Sequence, residues 1–268
     1  MAVTLIPDSP ARPRVVPIAR LAAGGRWRIE AMRSYAEPLL LWFTRGQGRI
    51  TVSGVTRGFG AHNAIFLPAG TMHGFDMTAQ TYGTALFFGR DHGLTHLPEA
   101  PQHLRLREAS AQAELTSLID QIQRESDGRR PGHDRAVHHL SGLIAICIER
   151  LALHQEPARR PDAAHRLAAR FAALLERDFR QGLDIADYAT ALGVTPTHLS
   201  RACRQSCGRA AHDLLQDRLL FEARRLLAET SAPVKEVAKS LGFRSPAYFT
   251  RSFHQRTGKT PSAFRKGG

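Results

Sequence analysis

The sequence predicts an α+β protein of two domains: a small N-terminal β-barrel with a helical linker, then an all-α C-terminal domain with two helix-turn-helix units. Three observations predict it. Between Arg26 and Arg90, short β-forming runs alternate with glycine turns; between about residues 93 and 157, apolar residues recur at helical spacing; and from Asp184 to Arg265 one pattern occurs twice. The 268 residues suffice for two cores, and 43% hydrophobic with 23% charged residues is an ordinary globular composition. The expected segments are an arm at 1–25, a sensing barrel at 26–92, a helical linker or dimerisation region at 93–157, and the repeat-bearing domain at 163–268.

Taken in order, residues 1 to about 20 hold prolines at 7, 10, 13 and 17 and few large apolar side chains, which predicts an extended arm. The runs LLLWF, RITVSG, AIFLPAG and TYGTALFF follow, separated by GQG, VTRGFGAHN and GTMHGFDMT, a spacing that suits a compact antiparallel sheet or small barrel. Within them GAHNAIFLPAGTMHGF resembles the second half of a cupin motif, a glycine turn leading into a strand that ends Pro-x-Gly-x-x-His. That resemblance implies a barrel whose interior holds a small ligand. Trp42, His73, Phe75 and Tyr82 are the candidate effector-binding residues. For the three aromatics the plainer reading is barrel core, and for His73 a rim histidine bonded to a backbone carbonyl. A metal-binding cupin needs two histidines one residue apart and a carboxylate on an earlier strand, but MRSYAEPLLLWFTRGQG has no histidine and His62 sits in a turn. The expectation is no metal, no cofactor and no catalytic residue.

After His92 the β character stops. Leu115, Leu118, Ile119 and Ile122 form one apolar helical stripe, and Leu140, Leu143, Ile144, Cys147, Ile148 and Leu151 form another. Each must bury against the barrel, against the other helix or against a second copy of the chain. His133, His138 and His139 read as a solvated helix end, and HQEPARRPDAA, polar with two prolines, marks the domain boundary. Cys147, Cys203 and Cys207 are too few and too irregular for a disulfide framework, and they are read as small buried thiols. No apolar run approaches ~18 residues and no signal-peptide core is visible, so the protein is expected in the cytoplasm with no membrane partner.

Net charge is +13; up to Arg160 there are 19 Lys and Arg against 14 Asp and Glu, +5, and after it 18 against 10, +8. The shorter part is the more basic, which favours a polyanionic partner. That part contains IADYATALGVTPTHLSRACRQSCG and VKEVAKSLGFRSPAYFTRSFHQRTG, which align through Leu192-Gly193 with Leu241-Gly242, Leu199 and Arg201 with Phe249 and Arg251, and Gly208 with Gly258. Thr195-Pro196 and Ser245-Pro246 supply an N-cap hydroxyl and a proline at the first helical position, and the glycines supply a left-handed stop. At about 100° per residue, Leu199 and Cys203 share a core face, as do Phe249 and Phe253. Thr197, Arg201 and Arg204 point away from it, and so do Ala247, Arg251 and His254. A lone exposed arginine is ordinarily a solvated charge; two in register across a repeat favour a contact to guanine or phosphate.

Together with AKSLGF, SPAYFTRSF and GKTPSAFR, these residues resemble the AraC/XylS transcription regulators over roughly the last hundred positions. The resemblance implies DNA contacts at Thr197, Ser200, Arg201 and Arg204 in the first unit and at Ser245, Ala247, Thr250 and Arg251 in the second. Pro246 and Ala247 stand where relatives carry longer polar side chains, so base reading by the second helix is expected to be weaker. The resemblance also implies double-stranded promoter or operator DNA as partner, a small-molecule effector in the N-terminal barrel, a homodimer through the linker helices, and RNA polymerase as a further partner. The apolar stretch Ala210–Glu229 is expected to be a rigid spacer holding the recognition helices about 34 Å apart, one DNA turn. Two other readings stand beside this one: a cupin-type isomerase or dioxygenase with a basic accessory tail, and a DNA-binding protein whose barrel serves only assembly.

Overall fold

The computed structural model describes residues 12–128, 130–155 and 161–267. The chain enters through β1 (Arg14–Pro17) and two single helical turns, α1 (Ile18–Leu21) and α2 (Trp27–Glu30). Seven strands follow: β2 (Leu39–Arg45), β3 (Gly48–Val52), β4 (Val55–Phe59), β5 (Asn63–Leu67), β6 (His73–Met77), β7 (Tyr82–Phe87) and β8 (Gln102–Arg105). They build a five-stranded sheet in the order β1-β7-β2-β5-β8 and a three-stranded sheet in the order β4-β3-β6, with antiparallel pairing throughout. Neither sheet closes into a barrel; the expected small barrel is an open two-layer arrangement.

The apolar run of β2 shows why closure is not needed. Leu39, Leu41 and Phe43 pack with Ile50, Phe59 and Phe75 of the smaller sheet, whereas Leu40 and Trp42 belong to a second core beneath two helices. β5 divides in the same way, Ile65 and Leu67 to one side, Ala64 and Phe66 to the other. A sheet covered on both faces has its apolar area removed from water without curling on itself. Part of the expected arm is also structured differently: Arg14–Pro17 pairs with β7, while residues 1–11 lie outside the described residues.

The covering helices are α3 (Ala109–Gly128) and α4 (His133–Leu153). Leu115, Leu118, Ile119 and Ile122 meet Val137, Ile144, Cys147 and Ile148, and both sets rest on the outer face of the larger sheet. By length and composition α4 is apolar enough to cross a membrane, but this face of it is spent on the core. Leu143, Ile146 and Leu153 remain exposed.

The C-terminal domain opens with α5 (Ala163–Asp178) and a 3-10 turn (Phe179–Gln181). It continues through α6 (Ile185–Ala191), α7 (Pro196–Cys207), α8 (Ala211–Glu229), α9 (Val234–Ser240), α10 (Pro246–Thr257) and α11 (Pro261–Lys266). One core runs beneath both helix-turn-helix units, from Phe171 and Tyr188 through Leu199, Leu214 and Leu226 to Phe249 and Phe253, and it takes in Met32 and Met72 from the N-terminal domain. Trp27 of α2 packs edge-on to Phe221 of α8 and Phe264 of α11, at 5.6 and 6.1 Å between ring centroids.

At the centre of this assembly Arg218 of α8 is buried, giving Nε and Nη2 to Glu176 of α5 at 2.7 and 2.9 Å and Nη1 to Glu222 at 3.2 Å. Burial pushes the Glu222 carboxyl up, but the Arg225 hydrogen bond and the charges of Arg218, Arg225 and Arg180 outweigh it and hold the pKa at about 2. Removing one partner from such a network leaves an uncompensated buried charge. Arg218→Ala is therefore expected to destabilise the protein by about 3–5 kcal/mol, measured as a lower urea midpoint; a midpoint within error of wild type would show that the network is not needed for stability.

Candidate nucleic-acid interface

The two recognition helices are built by the same local chemistry. In α7 the Thr195 hydroxyl accepts the His198 N–H at 3.2 Å, and in α10 the Ser245 hydroxyl accepts the Tyr248 N–H at 3.3 Å. Proline occupies the first turn of each, and Gly208 and Gly258 end them in the left-handed region at φ 74° and 70°. Hydroxyl, proline and glycine at these offsets make both helices twelve residues long, so their faces come out in register.

Thr197, Arg201 and Arg204 are exposed on α7, and Ala247 and Arg251 on α10; Ser200 and Thr250 are half-buried beside them. Ser245 is half-buried and is the cap itself, so its lone pair is committed to the helix while its hydroxyl hydrogen stays available. Arg177, Arg180, Arg209, Arg218 and Arg225 are tied into carboxylates, whereas the guanidinium groups of Arg201, Arg204 and Arg251, like those of Arg170, Arg244 and Arg256, have no ion pair or hydrogen bond among the described residues. An unpaired guanidinium fork on a helix surface suits bidentate recognition of guanine or phosphate.

The structure adds two residues that the sequence reading passed over. His198 and Tyr248 occupy the same register position, one residue before Leu199 and Phe249, and both are exposed; Tyr248 is 57% exposed, far more than an aromatic with a packing role. Their signal was available in the repeat alignment, where each stands third after the cap hydroxyl.

Of the candidate effector residues, His73 and Phe75 share a face of β6, while Trp42 and Tyr82 lie apart from them and from each other. Trp42 lies on the outer face of the larger sheet, its Nε1 donating to Thr116 Oγ1 of α3 at 3.1 Å, and lines a groove of about 490 Å³ with His62, Gln112, Asp120 and Arg124. Phe75 is in the core between the sheets, 6.2 Å from Phe43, and Tyr82 is 60% exposed under the Arg45 guanidinium. His73 is buried, with Nδ1 2.9 Å from Thr71 O, an arrangement that makes Nδ1 the donor and leaves Nε2 without a partner among the described residues. Cys147 and Cys203 are buried thiols, pushed up by that burial to about 11 and 12. Among the described residues no group of three or more His, Cys, Asp and Glu is arranged to hold a metal ion.

A helix-turn-helix domain profile matches residues 188–267, which spans both units from α6 onward. The Proteus vulgaris protein PqrA, described as a probable transcription factor, is 32% identical over 88 residues that cover 33% of this chain and 72% of PqrA. The chain belongs to the AraC/XylS family of transcription regulators. Another relative, the arabinose operon regulatory protein of Salmonella typhimurium, is 30% identical over 159 residues, covering 58% of this chain and 54% of that one. The chain thus spans about half the length of that AraC/XylS relative. The fatty-acid-bound crystal structure of ToxT from Vibrio cholerae aligns over 94% of both chains at 13% identity, with a TM-score of 0.40.

His73 yields a test of how tightly the regulator's N-terminal domain is sealed. Burial, and then the Arg33 and Arg218 charges, lower its pKa from 6.5 to about 3 against the raising effect of the Thr71 bond. Unfolded His73 takes up a proton below pH 6.5 while the folded side chain does not until about 3, so the stability it carries is complete above 6.5 and falls between those values. Melting temperature should consequently fall less steeply over that window in His73→Gln than in wild type; equal slopes would mean that His73 is protonated in the fold.

Proposed function

We propose that the protein is a sequence-specific DNA-binding transcription regulator that answers to a small-molecule effector acting on its N-terminal domain. The observation that carries the reading is the pair of capped helices, α7 and α10, each presenting an exposed arginine with no carboxylate partner at the same register. Around them the surplus charge of the C-terminal part supplies phosphate affinity that does not depend on sequence, and Thr197, Ser200, Arg201 and Arg204 with Ser245, Ala247, Thr250 and Arg251 supply base and backbone contacts. Between the units α8 has 19 residues, roughly 28 Å at 1.5 Å per residue, and would serve as the rigid spacer for insertion of both helices into successive major grooves.

The effector reading attaches to the open groove beside Trp42, where Thr44, His62, Gln112, Asp120 and Arg124 offer hydrogen-bonding and charged groups to a small polar ligand. Differential binding there would shift the population of DNA-competent states. Dimerisation attaches to α4, where Leu143, Ile146 and Leu153 are apolar and exposed.

Duplexes selected by the intact chain from a random pool should lose about 1–3 kcal/mol of affinity with Arg201→Ala, and a similar amount with Arg251→Ala, if each guanidinium grips a base in bidentate fashion. Unchanged binding by both variants would remove the basis of the proposal. For the assembly, sedimentation of the Leu143→Glu, Leu153→Glu double variant should show monomer where wild type shows dimer; a dimer unaffected by both charges would place the contact elsewhere.

A further inference from the structure

The two recognition helices match on their exposed faces and differ behind. Five residues of α7 are buried, Leu199, Ala202, Cys203, Ser206 and Cys207, but only Phe249 and Phe253 of α10. At the last turn of α7, Ser206 meets the N-terminal domain. Strands β3 and β4 are joined by Ser53 and Gly54, at φ 48° and 72°, a tight left-handed hairpin turn. This turn sits against α5 and α7: Ser206 Oγ donates to Gly54 O at 2.8 Å in a buried position, and a Cβ placed on Gly54 would lie 3.0 Å from Ala168 O.

The register partner of Ser206 in the second unit is Arg256, which is exposed beside a shallow depression with Gln216, Phe243 and Ser252. The other N-terminal contacts fall on α5, α8 and α11. Ser34 Oγ donates to Glu176, the Met32 N–H to Asp217 Oδ2 at 2.8 Å, and Trp27 packs on Phe221 and Phe264. Of the hydrogen bonds, ion pairs and ring contacts among the described residues, none joins the N-terminal domain to α10.

We propose that the β3–β4 hairpin is a positioning element for the first recognition helix, with Gly54 and Ser206 as the joint, so that the N-terminal domain governs how α7 meets DNA and leaves α10 alone. The inference rests on the DNA-binding reading above. Its physical basis is the cost of separation. If the hairpin moved without α7, a buried hydroxyl and a buried carbonyl would both lose their partner, so the two move together. A helix of twelve residues is stiff, and a shift imposed at Ser206 is carried to Arg201 and Thr197 on the same rod. Ser206 and Gly54 touch no base on this account; they act through α7.

The experiment begins with duplexes selected by the intact wild-type chain, their halves assigned to α7 or α10 by the loss of contact in Arg201→Ala and Arg251→Ala. Affinity is then measured on intact and half-scrambled duplexes for Ser206→Ala and Gly54→Val, each in the full chain. The two break the joint from opposite domains, so whichever keeps the wild-type melting transition decides the matter. The penalty for scrambling the α7 half should shrink by about fivefold, the factor of one hydrogen bond, with the α10 penalty unchanged within error. Arg256→Ala, at the matching register of α10, should leave the α7 penalty as it was. A parallel loss at both halves would mark the joint as a general stabiliser, and no change at either would show it irrelevant to positioning; both outcomes overturn the proposal. Failure of the wild-type chain to select any sequence would instead overturn the DNA-binding reading beneath it.

Discussion

The C-terminal half of this protein depends on one buried guanidinium. Arg218 holds Glu176 on α5 and Glu222 on α8, and those carboxylates in turn receive Ser34 from the N-terminal domain and Arg180 and Arg225 from their own. A charge with this little solvent is tolerable only when its donors are met by good acceptors. Once they are met, the geometry allows few other placements for α5, the 3-10 turn and α8. Both helix-turn-helix units are packed on that frame, so the exposed arginines of α7 and α10 inherit their positions from a paired arginine neither of them touches.

The N-terminal domain is organised by a different constraint, a sheet that must be covered twice. Its central strands carry large apolar side chains on both faces, and the smaller sheet and the α3–α4 pair each take one. Phe43, Phe59 and Phe75 fill the space between the sheets, and the Trp42 groove lies open on the opposite face of the larger sheet. The groove lies against α3, whereas the β3–β4 hairpin lies against α7, so a change at the first must cross the sandwich to reach the second. Close packing supplies the route, because interiors at crystal-like density transmit displacement rather than absorb it.

Duplication explains the matched caps and stops of the two units; their divergence lies in what each helix is asked to pack against. Ser206 at the back of α7 is small and polar and fits a hairpin carbonyl, while Arg256 at the same place on α10 faces water. The front faces diverge as well, Thr197 and Ser200 against Ala247 and Thr250. The helix with the more polar front face is thus also the one backed by the other domain.

The residues alone determined the elements whose causes are local. Thr195-Pro196 with Gly208, and Ser245-Pro246 with Gly258, act within a single turn of chain, so the limits of both recognition helices and the outward faces of Arg201 and Arg251 were legible before any fold was known. Of the N-terminal strands, β2, β3, β5 and β7 were legible as apolar β-forming runs, whereas β1 lay in the expected arm, β4 and β6 in stretches read as turns, and β8 beyond His92, where the β character was expected to stop. Their closure was not: LLLWF reads the same in a barrel wall as in a flat sheet, because a run buried on both faces does not say what buries it. Pairing partners at long separation were equally invisible. Nothing local joins Ser206 to Gly54, 152 residues earlier, or separates Trp42 and Tyr82 from each other and from His73 and Phe75, which share a face of β6. Only the packed chain decided these, because a hydrogen bond between domains and the burial of one face over another depend on what the tertiary fold brings near, and the sequence records just the chemistry each side chain offers.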